Sequence, residues 1–233
     1  MLYLVGLGLD DGEITQKGLK ALENAEKAYA EFYTNTETVS VEELEEKTGT
    51  EIEKLSREKV EQEDIILESA EEKDTAFLVS GDPLTATTHY EIKHRAVQRG
   101  IETTVVHAPS IFTSIAETGL NVYKFGRTVT LPEDFAPESI TEHIEKNDSI
   151  GLHTLVLLDI NYDGSKAADK LVKIDESLEG RRAVLVERAN ADSMNAKVIE
   201  LGEEFETGET PHCLAIVGKT DHMEEEFLES HDG

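Results

Sequence analysis

Short aliphatic runs recur along the chain, separated by longer polar stretches whose apolar residues fall three and four positions apart. The runs cover residues 2–5, 28–32, 76–79, 103–106, 155–158, 183–186 and 214–217. Each is apolar or β-branched and flanked by Gly, Asp or Pro, the pattern of a strand buried on both faces. The stretches 15–25, 88–98 and 166–174 carry the helical period. Strand and helix alternate, which predicts an α/β protein. Residues 40–74 are the most acidic and poor in β-formers; they predict two solvated helices, with Ile52, Leu55, Ile65, Ile66 and Leu67 on the buried side. A further strand is expected over 128–130, then a loop through Pro132 and Pro137 and a helix over 138–146. No repeat or low-complexity linker interrupts the chain, and a boundary near 110–119 divides it into two α/β subdomains, 1–112 and 113–233, expected to share an interface.

Composition narrows the functional classes. Lys and Arg total 22 against 50 acidic residues, a formal charge of −28. Such a surface lacks the clustered cations that bind nucleic-acid phosphates or dock on an anionic membrane. The acids are spread over the chain, from Glu42 and Glu43 to Glu225 and Glu226, with no concentration in a tail. That distribution points to a protein of a salt-adapted cell, whose self-repulsion is screened in concentrated salt and which loses stability in dilute buffer. The single cysteine, Cys213, excludes an internal disulfide and fits a reducing cytoplasm. No secretory segment or membrane-length apolar run is visible. The expectation is a soluble cytoplasmic protein.

Several motifs fall short of the chemistry they suggest. Gly6-Leu7-Gly8 follows the first strand, but Asp11 stands where the dinucleotide fingerprint needs its third glycine, so a nicotinamide oxidoreductase is disfavoured. Gly218-Lys219-Thr220 resembles the end of a triphosphate loop, yet Cys213 replaces the partner glycine. The histidines His89, His94, His107, His143, His153, His212, His222 and His231 form no metal-ligand spacing and read as structural or solvated. Ser110 lacks a nucleophile elbow.

Gly81-Asp82-Pro83-Leu84-Thr85-Ala86-Thr87-Thr88-His89 sits where the strand 76–79 ends and a helix begins. Ligands of open α/β sheets bind at such carboxyl ends. Gly81 admits close approach, Pro83 fixes the turn and Asp82 offers charge to a cationic ligand. Equally, Asp82 or a following threonine caps a helix, and both readings stand. His107-Ala108-Pro109-Ser110-Ile111 repeats the arrangement after the next strand, so the two turns would line one crevice.

Taken together, these segments resemble the diphthine synthases, a branch of the tetrapyrrole-methylase fold family. The resemblance rests on Gly6-Leu7-Gly8-Leu9, Ala30-Glu31-Phe32-Tyr33-Thr34, Gly81 to His89 and His107 to Ile111. It continues through Thr118-Gly119-Leu120, Tyr123-Lys124-Phe125-Gly126, Gly151-Leu152-His153-Thr154-Leu155 and Leu158-Asp159-Ile160. It implies two subdomains of the tetrapyrrole-methylase type with a cofactor cleft between them, S-adenosylmethionine as methyl donor, and contacts to it at Leu9, Asp82, Thr85, Ser110, Ile111, Leu158, Ala189 and His212. It implies methyl transfer to the amino group of a 3-amino-3-carboxypropyl-histidine side chain on translation elongation factor 2, by a homodimer using neither metal nor covalent nucleophile. Removing the Asp82 carboxylate is then expected to weaken donor binding while leaving the fold intact. The stretch 161–180 is shorter and more polar than usual, and the chain ends soon after Leu228 without the β-rich tail of relatives. A corrin or porphyrin-precursor methyltransferase is the alternative, weakened by Asp10 in place of a third glycine and by Glu13-Ile14-Thr15 where those relatives read Leu-Leu-Thr. A non-catalytic ligand-binding regulator is another.

Overall fold

A computed structural model describes residues 1–33, 40–137 and 139–230. Thr34, Glu138 and His231, used above, lie outside them. The chain separates into two compact units, Met1–Ile111 and Phe112–Gly233.

In the first unit β1 (Leu2–Gly6), β2 (Lys27–Glu31), β3 (Ile52–Lys54), β4 (Thr75–Val79) and β5 (Thr103–Val106) form one sheet in the order β3-β2-β4-β1-β5. All neighbours are parallel. Side chains alternate across the pleat. Val5, Ala28, Ala30, Ala76 and Leu78 pack with Ala21 and Leu22 of α1 (Gln16–Asn24) and Val41 and Leu44 of α2 (Val41–Thr48). Leu2, Leu4, Tyr29, Phe77 and Val79 face Val60 of α3 (Arg57–Gln62), Ile66, Leu67 and Ala70 of α4 (Ile65–Glu72), and Ile92 and Ala96 of α5 (Tyr90–Gln98). Both faces are covered, which explains the apolar runs of the sequence. The edge strand β5 departs from that expectation, because Thr103, Thr104 and Val105 stay half-exposed.

The acidic stretch differs from its expected two helices. Ser40 and Ser56 accept hydrogen bonds from Glu43 N and Lys59 N and so start α2 and α3, caps worth about 1 kcal/mol each. Gly49, at φ 73°, ends α2 in the left-handed region. The chain then pairs Ile52–Lys54 with β2 before α3 and α4 follow. A strand of this length carries too little pattern to stand out from helical neighbours.

In the second unit β6 (Val129–Leu131), β7 (Thr154–Leu158), β8 (Arg182–Glu187), β9 (Asn195–Glu200) and β10 (His212–Ile216) form a mixed sheet, order β6-β7-β10-β8-β9. Only β6 and β7 run parallel. After the turn α6 (Ile111–Ser114), α7 (Ser139–Ser149) and α8 (Gly164–Ile174) cover one face, placing Ile140, Ile144, Ala167, Ala168 and Leu171 on Val156, Leu185, Leu214 and Ile216. Asp163 accepts from Ser165 N and Lys166 N to start α8. The strand β9 is not foreseen in the sequence, because Asn195-Ala196-Lys197 dilutes its apolar content at an exposed edge. The last helix, α9 (His222–Ser230), carries Glu224 and Leu228 inward. No described helix is long and apolar enough to cross a membrane.

Candidate active site

Because β1 lies between β4 and β5, the turns that follow these three parallel strands emerge side by side. Pairing continues past the strand ends: Leu7 N donates to Val79 O at 2.9 Å, Gly8 N to Gly81 O at 3.2 Å, and Gly81 N to Gly8 O at 2.6 Å. The close approach needs glycine. A Cβ on Gly6 would stand 2.6 Å from Gly81 O and 2.7 Å from Ala108 Cβ, so all three turns meet there. Leu9 Cδ2 lies over Gly81. Leu9, Asp82, Thr85, Ser110 and Ile111 are thus gathered at one end of the first sheet.

Asp82 has a different part from the one its charge suggests. It is 5% exposed. Its Oδ1 accepts from Leu84 N and Thr85 Oγ1, both at 3.0 Å, and its Oδ2 from His107 Nδ1 at 2.7 Å and Ala108 N at 3.3 Å. Burial alone would raise its pKa, but these donors outweigh it and hold the carboxyl below its usual range. Both oxygens are spent joining the turn after β4 to the turn after β5. Asp82 does not cap α5, which begins only at Tyr90; the helix expected directly at this turn is preceded by an irregular loop in which Ala86 takes φ 57°.

The glycine turn holds a residue the sequence reading missed. Glu13 Oε2 accepts from Leu9 N at 2.5 Å and Asp10 N at 3.1 Å. Those N–H groups are the ones a phosphate would use. The turn is therefore closed to a phosphate-bearing cofactor, whereas an uncharged nucleoside bearing a cationic sulfonium meets no such conflict. The signal was an acidic residue shortly after Gly8, legible only once the turn's curvature is known.

In the second unit β10 runs antiparallel between β7 and β8, with Cys213 opposite Leu157 and His212 opposite Glu187. That register brings Leu158, His212 and Ala189 to one end of the sheet. Arg188 and Asn190, flanking Ala189, have φ of 50° and 69°, a tight bend without glycine. The His212 ring is consumed internally: Nδ1 accepts from Gly164 N at 3.0 Å and Nε2 donates to Glu209 O at 3.0 Å. Glu187, beside it, accepts from Gly208 N and Asn195 Nδ2 and is held below the usual carboxylate range against the opposing effect of burial.

Other motif residues prove to be framework. Glu224, buried, accepts from Asn121 N at 3.0 Å, Asp221 N at 2.9 Å and His153 Nε2 at 3.1 Å, and pairs with Lys124 Nζ. Burial would raise its pKa, but these donors hold it at about 2. His153 Nδ1 accepts from Gly218 N at 2.9 Å. The Tyr-Lys-Phe-Gly and Gly-Leu-His-Thr segments thus fasten α9.

A family model described as tetrapyrrole (corrin/porphyrin) methylases matches residues 1–202. Diphthine synthase of Methanocaldococcus jannaschii is 39% identical over 251 residues, covering 98% of this chain and 97% of the relative. That of Methanothermobacter thermautotrophicus is 38% identical over 250 residues, covering 98% and 94%. A crystal structure of a diphthine synthase superposes with a TM-score of 0.92 at 34% identity, covering 99% of this chain and 95% of the other. The chain belongs to the tetrapyrrole methylase family and, within it, to the diphthine synthases, which are S-adenosylmethionine-dependent methyltransferases.

Proposed function

We propose that this methyltransferase acts on the amino group of a 3-amino-3-carboxypropyl-histidine side chain of translation elongation factor 2, in the cytoplasm of a salt-adapted cell and as a homodimer. The observation that carries the reading is the grouping of the glycine turn, the Gly-Asp-Pro loop and the His-Ala-Pro-Ser turn at adjoining strand ends, in a chain similar to diphthine synthases over 98% of its length. Leu9, Asp82, Thr85, Ser110 and Ile111 are the proposed donor contacts of the first unit; Leu158, Ala189 and His212 are those of the second.

S-adenosylmethionine brings an already electrophilic methyl group. The chain has to hold and align; orientation of this kind contributes roughly 7–11 kcal/mol to a transfer. Leu9 and Ile111, half-buried at the strand ends, offer apolar surface. The backbone at Gly81 and Ser110 supplies polar contact without charge. The Asp82 carboxylate fixes the turns, its oxygens being occupied, so that Asp82 meets the donor through its backbone; Thr85 does the same, its hydroxyl being given to Asp82.

The test is direct. The protein is mixed in molar salt with elongation factor 2 carrying the unmethylated side chain, and the mass of the modified peptide is followed. Mass steps of one methyl group, dependent on S-adenosylmethionine, are expected. Tight donor binding with no mass change would reduce the protein to a ligand-binding regulator.

A further inference from the structure

We infer that His107, oriented by Asp82, accepts the proton that the acceptor amine loses before methyl transfer; this rests on the function proposed above. An alkylamine is protonated at neutral pH and has no lone pair with which to attack, so the reaction needs a proton acceptor beside the donor site. Among the described groups at the strand ends of the first unit, most are unsuited. Both Asp82 oxygens already accept hydrogen bonds and the carboxyl is held ionised. Glu13 is bound to the N–H groups of Leu9 and Asp10. His89 is 1% exposed and out of reach of a protein-borne substrate.

His107 differs in both respects. Its side chain is 68% exposed, while its partner Asp82 is buried. An ionised carboxylate accepts, so Nδ1 must carry the ring hydrogen and Nε2 the lone pair. Nε2 has no protein partner among the described residues. A buried carboxylate holding one ring nitrogen while the other faces outward is the arrangement that fixes the tautomer of a general base and stabilises its cationic form. The ring stands three residues before Ser110, in the turn that the proposed donor contacts share. The charged group paired with it is Asp82; on the neighbouring turn after β1, Asp10, Asp11 and Glu13 add negative charge, with Glu13 turned onto the backbone.

The step balances. One N–H bond of the ammonium breaks, its electron pair stays on nitrogen, and the proton forms an Nε2–H bond on His107, whose new charge is countered by Asp82. The amine then attacks the methyl carbon, and the pair of the broken carbon–sulfur bond leaves with the thioether. The exposed imidazolium returns its proton to water, ready for a further round.

Measurements on wild type, His107→Gln and His107→Ala, in molar salt, test this. At pH 7 turnover of the unmethylated factor should fall about 10²-fold or more, the usual yield of a positioned base, while calorimetric affinity for S-adenosylmethionine changes by less than about threefold, under 0.7 kcal/mol. The deficit should shrink as pH rises toward that of the amine, because free amine then forms without help, and added imidazole should restore part of the activity of His107→Ala. Nitrogen NMR of the free wild-type enzyme should show the His107 ring with its hydrogen on Nδ1. A variant as active as wild type, a loss tracking lost donor affinity, a deficit indifferent to pH, or the opposite tautomer each overturns the inference. A wild type that transfers no methyl group sinks the function reading and this inference together, whereas the other outcomes sink only the latter.

Discussion

His89 is the clearest case of a single residue at odds with its surroundings. It closes the Ala-Thr-Thr-His segment, buried against Phe77 with ring centroids 5.1 Å apart, and its Nε2 lies 3.2 Å from the Tyr33 hydroxyl. Its Nδ1 is buried without a hydrogen-bond partner among the described residues, a condition that disfavours a second proton there. Burial accordingly depresses its pKa to about 4, and burial with nearby Glu31 pushes the Tyr33 phenol well above its usual value. The folded pKa lies below the unfolded value near 6.5, so between these the unfolded chain binds the extra proton and acid favours unfolding. The loss begins as pH falls through about 6.5, is complete below about 4, and amounts to roughly 3 kcal/mol. In His89→Gln, which keeps an amide near Tyr33, urea midpoints at pH 7 and pH 4.5 in molar salt should differ less than in wild type. An equal pH response in both chains would show that His89 titrates normally. In the sequence this residue offered only its place after two threonines; its burial follows from Phe77 on β4 and from Tyr33, just past the end of β2 and 56 positions away.

At the scale of elements, helices and strands were largely legible because their signals are local. Thr15, Ser40, Ser56 and Asp163 mark helix starts by side-chain hydrogen bonds within a few residues. The inner strands of the first unit, β1, β2 and β4, are buried on both faces and so stand out as short, largely apolar runs. The missed strands, Ile52–Lys54 and Asn195–Glu200, lie at sheet edges, half-solvated and so free to carry Glu and Lys; the acidic helix α9 was likewise not foreseen. What fastens one element to another was not legible. The anchoring of α9 depends on Glu224, which reaches Lys124 and His153 across 100 and 71 positions. Replacing Glu224 by Ala leaves the ammonium of Lys124 and the buried N–H of His153 without their acceptor, at a cost of about 3–5 kcal/mol. The folded carboxyl titrates at about 2, below its ordinary 4.5, so this contribution is present above the latter and disappears as pH falls toward the former. Urea unfolding at pH 7 should report the loss, and hydrogen exchange should speed up first in His222–Ser230. An unchanged midpoint would show that the helix is held by Leu228 alone.

For the molecule as a whole the governing quantity is its charge of −28. Ion pairs such as Arg95 and Arg99 with Asp64, or Arg182 with Glu225, use up scarce cations, and the remaining acids repel one another through solvent. The screening length falls from about 10 Å at 0.1 M salt to about 3 Å at 1 M. Raising potassium chloride from 0.1 to 2 M should therefore raise Tm by roughly 5–10 °C, equivalent to about 2–3 kcal/mol. A Tm that is flat or falls over that range would mean that the acids are not a stability burden and would remove the argument for salt adaptation. The sequence by itself determined the charge, the alternation of strand and helix and the turns after 76–79 and 103–106, because each is written in neighbouring residues through period, propensity and composition. Only the tertiary structure decided that β1 lies between β4 and β5, that Asp82 turns inward to hold His107, and that Glu13 fills the glycine turn. These depend on strand order and on contacts between residues distant in the chain, and no local pattern encodes which strands will lie side by side.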